Sequence, residues 1–157
     1  MNLWMLRLLK ALIVILFAGG ALVAVTFIPL AAWSNAQDYP EVGYLAIPYA
    51  VLAIGAIACA EVILVATWRL AGMVQRGRIF DASALTWVTL MVRSAVVATA
   101  LVGVVAIDAT FFEHVGPAFI TLLGAMVGVG AFALILMVMR DMLTTAVQHK
   151  GELDEVV

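Results

Sequence analysis

Four long apolar stretches, separated only by short polar loops, constrain this chain more than any other feature. They cover approximately residues 8–33, 45–70, 84–107 and 117–139. Each is long enough to cross a ~30 Å hydrocarbon core as a helix rising 1.5 Å per residue. Of the 157 residues, 66% are hydrophobic and 11% charged, whereas a water-soluble domain averages roughly 45–50% apolar and 25% charged residues. So few polar groups cannot cover a surface in water, and lipid is the expected solvent. The expected fold is all-α: a single polytopic domain, a four-helix transmembrane bundle, with 140–157 as a short amphipathic cytoplasmic tail.

The same composition removes several function classes. Net charge is −2, so bulk attraction to nucleic acid is not expected. The single cysteine, Cys59, has no Cys-x-x-Cys partner, which argues against a thiol oxidoreductase. His114 and His149 fall at opposite ends of predicted helices, too far apart to clamp a haem. No Ser/His/Asp set, phosphate-binding glycine loop or metal-binding His pair is visible. The expectation is a protein without enzymatic activity, cofactor or bound metal.

In chain order, Arg7 and Lys10 precede the first stretch. Ser34-Asn35-Ala36 at its far end looks like a small-x-small cleavage site, but the apolar run exceeds the roughly 7–15 residues of a secretory signal core, so a retained helix is expected. Pro29 is expected to bend or end its last turn. Pro48 falls in the first turn of the second helix, where proline is tolerated. Gly77 suits the left-handed closing position of that helix, and Asp81 the N-cap of the third. In the tail, Leu143, Ala146, Val147 and Leu153 share roughly one face against Gln148, Lys150 and Glu152, and Gly151 is placed to interrupt it.

Orientation follows from the cations. Arg7, Lys10, Arg69, Arg76, Arg78, Arg140 and Lys150 fall on one side of the four-span scheme, with Arg93 nearest that face, and the two opposite loops carry no Lys or Arg. The positive-inside rule then makes both termini and the central loop cytoplasmic. Trp4, Trp68 and Trp87 gather at that interface, and Trp33, Tyr39 and Tyr44 at the other.

Two charges lie within the lipid-soluble stretches. Glu61 is eight residues before Arg69, about 12 Å inside the face, and Arg93 nine residues past Ala84, about 13 Å inside. Equal depth on consecutive antiparallel helices makes them candidate partners. A lone mid-membrane charge costs at least ~2.5–3.5 kcal/mol, and pairing relieves much of it. Three roles remain open: a register-setting ion pair, a proton, ion or anionic-ligand site approached past Thr86 and Thr89, or an unpaired Arg93 snorkelling to headgroups.

The basic loop, with Arg69, Arg76, Arg78, Phe80 and Asp81, is a candidate for anionic lipid headgroups or for a protein partner. Asp154 and Glu155 of the tail are placed to latch onto Arg76 and Arg78. Gly124 with Gly128, and Gly55 with Cys59, form small-x-x-x-small pairs suited to close helix contacts, within the bundle or across a homodimer seam. Asp38, Glu41, Asp108, Glu113 and His114 in the outer loops match no recognised metal loop, so solvated charges are expected there.

The run Gly77-Arg78-Ile79-Phe80-Asp81 resembles the short signature after the second helix of the DUF2975 family, four-helix bacterial membrane proteins of unknown function. The tail, with Leu143, Ala146 and a closing Glu152-Leu153-Asp154-Glu155-Val156-Val157, is similar to that family's acidic ending. The resemblance implies a multi-pass protein of the bacterial inner membrane and transfers no activity, cofactor or catalytic residue. Small multidrug exporters also pair four helices with one membrane glutamate, but theirs lies in the first helix, unlike Glu61. A binding, regulatory or assembly protein is the leading expectation, and a small transporter or channel using Glu61 and Arg93 the alternative.

Overall fold

The first apolar stretch forms one continuous helical rod with a local widening. The structure, a computed structural model, describes residues 3–38, 40, 43–76, 82–112 and 117–154. Helix α1 (Leu3–Leu22) passes through a π-helical turn (Val23–Phe27) into α2 (Ile28–Asp38). The Ile28 N–H donates to the Val23 carbonyl, five residues back. The cause stands next to it: Pro29 has no N–H to give, and its ring would crowd the carbonyl four residues earlier. A wider turn relieves that clash without breaking the helix. Pro29 therefore neither ends the helix nor stops it short of the loop, because the rod continues to Asp38.

The other stretches form α3 (Gly43–Gln75), α4 (Ala82–Phe112) and α5 (Pro117–Asp154). Four helical segments are long and apolar enough to span a membrane: Arg7–Ser34, Gly43–Gln75, Ser83–Asp108 and Leu123–Gln148. The chain is a multi-pass membrane protein. All regular structure among the described residues is helical. Helix α5 has 38 residues, about 57 Å at 1.5 Å per residue, so it extends well past a ~30 Å core. The expected separate tail helix is instead, up to Asp154, a continuation of the fourth span, and Gly151 does not interrupt it.

Packing differs from a closed bundle. The first rod packs on α3, α3 on α4, and α4 on α5, and among the described residues the first rod makes no close backbone approach to α4 or α5. The helices stand as an open row in chain order. Only α3 and α4 have a neighbour on two sides, and the buried residues concentrate on α4: Ala84, Val88, Met91, Val92, Ala95 and Ala98. Around them, Ala66 of α3 and Ala133 and Leu136 of α5 complete the core, with Ile63, Leu70 and Trp87 packed at its margin.

Alanines are the most deeply buried residues of that core, which Met91, Val92 and Leu136 complete, while many large side chains face out. Val25 is 74% exposed and Leu30 70%, yet Ala66, Ala84 and Ala95 are fully buried. Lipid reverses the pattern of water because burying leucine gains nothing over acyl chains, and close backbone approach becomes the source of attraction. Several hydroxyls are satisfied within their own helices: Thr67 donates to the Ile63 carbonyl at 2.8 Å and Thr99 to that of Ala95 at 2.8 Å. Back-bonding of this kind removes them from any polar site.

Candidate functional site

Lys10 on α1, Arg69 on α3, Arg76 just past its end, and Ser83 on α4 converge at one end of the row. Three helix geometries bring them there. Lys10 lies two turns into α1, Arg69 lies two turns before the end of α3, and Ser83 is the second residue of α4. Antiparallel neighbours thus place a helix beginning, a helix end and another helix beginning side by side. Arg76 closes α3, its N–H donating to the Met73 carbonyl at 3.1 Å.

Two indoles hold the cations in place. Lys10 Nζ lies 5.4 Å from the centre of the Trp68 ring, and Arg69 Cζ lies 5.5 Å from that of Trp87. Both distances fall within the ~6 Å reach of cation–π attraction. Each contact joins neighbouring helices, α1 to α3 and α3 to α4. Between them opens a cavity of about 320 Å³, lined by Lys10, Trp68, Arg69, Arg76, Ser83 and Trp87 among others, and among the described residues no carboxylate stands in its wall. Its size lies at the lower end of the roughly 300–1,000 Å³ of small-ligand pockets. The first N–H groups of α4 are free of intrahelical partners and add positive potential at the same place.

Beside the cavity runs an apolar groove of about 370 Å³, where Ile13, Val14, Phe17 and Ala18 of α1 face Val65 of α3. Trp68 and Arg69 line both spaces. Sequence reasoning singled out Arg69 and Arg76 but not Lys10 or the two tryptophans as ligands. The signal was present in the interfacial placement of Trp68 and Trp87, and what it lacked was the helix pairing that turns them toward the cations. Arg78, Phe80 and Asp81 lie outside the described residues, as do Glu155 and the side chain of Asp154, expected to latch onto Arg76 and Arg78.

Glu61 and Arg93 are not brought together. Glu61 Oε1 is buried and has no hydrogen-bond partner. It is turned to α1, where a Cβ on Gly20 would lie 3.2 Å from it. Arg93 is exposed on α4. The reason is azimuth. Ala66 marks the face of α3 that meets the core, and Glu61, five residues away at about 100° each, points about 140° from it. Arg93 is two residues from both buried Met91 and buried Ala95, about 160° from each. Depth matched the pair, but direction separates it.

The remaining candidates sort similarly. Gly55 meets α4, where a Cβ would come 3.2 Å from Leu101 Cδ1, and Cys59 is a free, half-buried thiol one turn on. Gly124 and Gly128 are exposed, and an added Cβ on either meets nothing within 4 Å among the described residues, so they pack against none of these. Gly130 and Gly103 lie at the α4–α5 contact instead, beside Thr99 and Met126. Thr89, expected on a path to Arg93, accepts a 3.1 Å hydrogen bond from Arg140 Nε. At the opposite end, Tyr49 donates to Asp108 Oδ2, tying α3 to α4. No metal-holding group of acids, histidines or cysteine occurs among the described residues, and Glu41, Glu113, His114 and the side chain of Asp38 lie outside them.

A family model described as protein of unknown function, DUF2975, matches residues 30–157. No curated protein and no solved structure matches the chain.

Proposed function

From a chain that belongs to the DUF2975 family, we propose a non-enzymatic binding and regulatory protein of the bacterial cytoplasmic membrane that recognises an anionic ligand at its cytoplasmic face. The observation that carries this is the cavity where Lys10, Arg69 and Arg76 converge between two indoles. Basic pockets between membrane helices suit anionic head groups. The charge distribution supports a cytoplasmic location for this end and for both termini. A protein partner would dock where α5 projects beyond the membrane, and the exposed Gly124 and Gly128 face offers a seam for a homodimer.

The test is equilibrium binding of glycerol 1-phosphate to the full chain in non-ionic detergent, followed by indole fluorescence. Saturable binding that weakens at least tenfold in Arg69→Gln with Arg76→Gln is expected. Absence of anion binding, or binding indifferent to both substitutions, contradicts the proposal.

One observation favours a second function, transport of protons or small ions: Glu61 Oε1 is buried and unpartnered beside the π-helical rod. Proteoliposome flux separates the two. Flux driven by a pH gradient and lost in Glu61→Gln supports transport, and equal, background flux in both proteins supports binding alone.

A further inference from the structure

We propose that the basic cavity and the apolar groove form one site for a single anionic phospholipid, its head group in the cavity and one acyl chain in the groove. The inference deepens the binding function above and rests on it. Three observations carry it. The two spaces are contiguous, because Trp68 and Arg69 line both. Their polarity follows the order of an amphiphile: cations, Ser83 and the start of α4 at one end, then Ile13, Val14, Phe17, Ala18 and Val65 towards the membrane interior. Among the described residues neither space has an acidic side chain in its wall.

Geometry sets the orientation. From Lys10 to Ala18 is eight residues, about 12 Å along α1, so the groove descends from head-group level into the acyl region. Lys10 and Arg69 are each held over an indole, which leaves their charged ends ordered at the junction of the two spaces. Indoles prefer this depth of a bilayer because one edge is apolar and the N–H is wet. A free phosphate or a soluble phosphate ester would occupy only the cavity. A zwitterionic lipid would fill the groove but bring a cation against three cations. An anionic diacyl lipid satisfies both spaces.

Native mass spectrometry of the full chain in detergent tests this with dioleoyl phosphatidylglycerol, dioleoyl phosphatidylcholine and glycerol 1-phosphate as probes. Expected is a one-to-one phosphatidylglycerol adduct at least tenfold more abundant than that of phosphatidylcholine. Lys10→Gln with Arg69→Gln should bring the two lipids to within about twofold. Ala18→Phe, which fills the groove, should deplete the lipid adduct at least fivefold while glycerol 1-phosphate still binds. Val65→Phe serves as the second groove variant, and thermal unfolding confirms that each variant is folded. If glycerol 1-phosphate binds as well as the diacyl lipid and both groove variants are silent, the lipid site is overturned and the anion-binding function survives. If no probe binds, both are overturned. Equal phosphatidylglycerol and phosphatidylcholine adducts, unchanged by the cation variants, would mean only annular lipid and also overturn the site.

Discussion

Removing Glu61 and Arg93 singly and together yields a number that the fold predicts closely. An ion pair in contact at 4 Å, at an effective dielectric constant of 20, would attract by about 4 kcal/mol. Truncating one member of such a buried pair typically costs about 3–5 kcal/mol. In this structure no such pair forms: Glu61 Oε1 faces Gly20 without a partner, and Arg93 is exposed on another face of α4. Glu61→Gln and Arg93→Gln should therefore be additive to within about 0.3–0.5 kcal/mol, the usual limit for independent sites. Glu61→Leu should be neutral or stabilising, because it removes an oxygen whose unsatisfied burial costs about 1–3 kcal/mol. The assay is reversible unfolding in bicelles by steric trapping, on the four proteins of the cycle. A coupling energy above about 1 kcal/mol would refute the separation of the two charges.

Other predictions concern contacts that fix the row of helices. Tyr49→Phe leaves Asp108 Oδ2 without its donor from α3 and should lower stability by about 1–2 kcal/mol, with Asp108→Asn adding less than its full effect in the double variant. A rise in stability on Tyr49→Phe would contradict that contact. Gly55→Leu drives a side chain against Leu101 and should destabilise by about 1–3 kcal/mol. Leucine at both Gly124 and Gly128 meets open space and should leave unfolding within about 0.5 kcal/mol. The reverse ranking would show that Gly124 and Gly128, not Gly55, make the close contact inside the chain.

Span count, helix class and the basic end were legible in the sequence because hydropathy and charge act along the chain axis. Arg69 and Arg76 could be placed at one interface from position alone, and the structure puts both in the cavity wall. Direction around each helix was not legible. Lipid solvates every face, so no amphipathic stripe marks which side of α3 or α4 meets a neighbour, and large residues such as Leu30 give no inward signal. That is why Glu61 and Arg93 could be matched in depth and still point apart. It is also why Gly124 and Gly128 read as packing residues while the contact lay at Gly103 and Gly130. The widened turn before Pro29 has a similar origin: sequence shows that proline disturbs a helix, but neighbouring packing decides between a stop, a kink and a π turn.

The most direct test of a ligand site at the basic end is fluorescence quenching in vesicles by lipids brominated on their acyl chains. The signal is the component of the indole emission removed by Trp68→Phe, since Trp68 stands where cavity and groove meet. Brominated phosphatidylglycerol at a few mole per cent is predicted to saturate that component, to exceed brominated phosphatidylcholine at equal mole fraction, and to lose the difference in Lys10→Gln with Arg69→Gln. Superimposable curves for the two lipids would contradict the site.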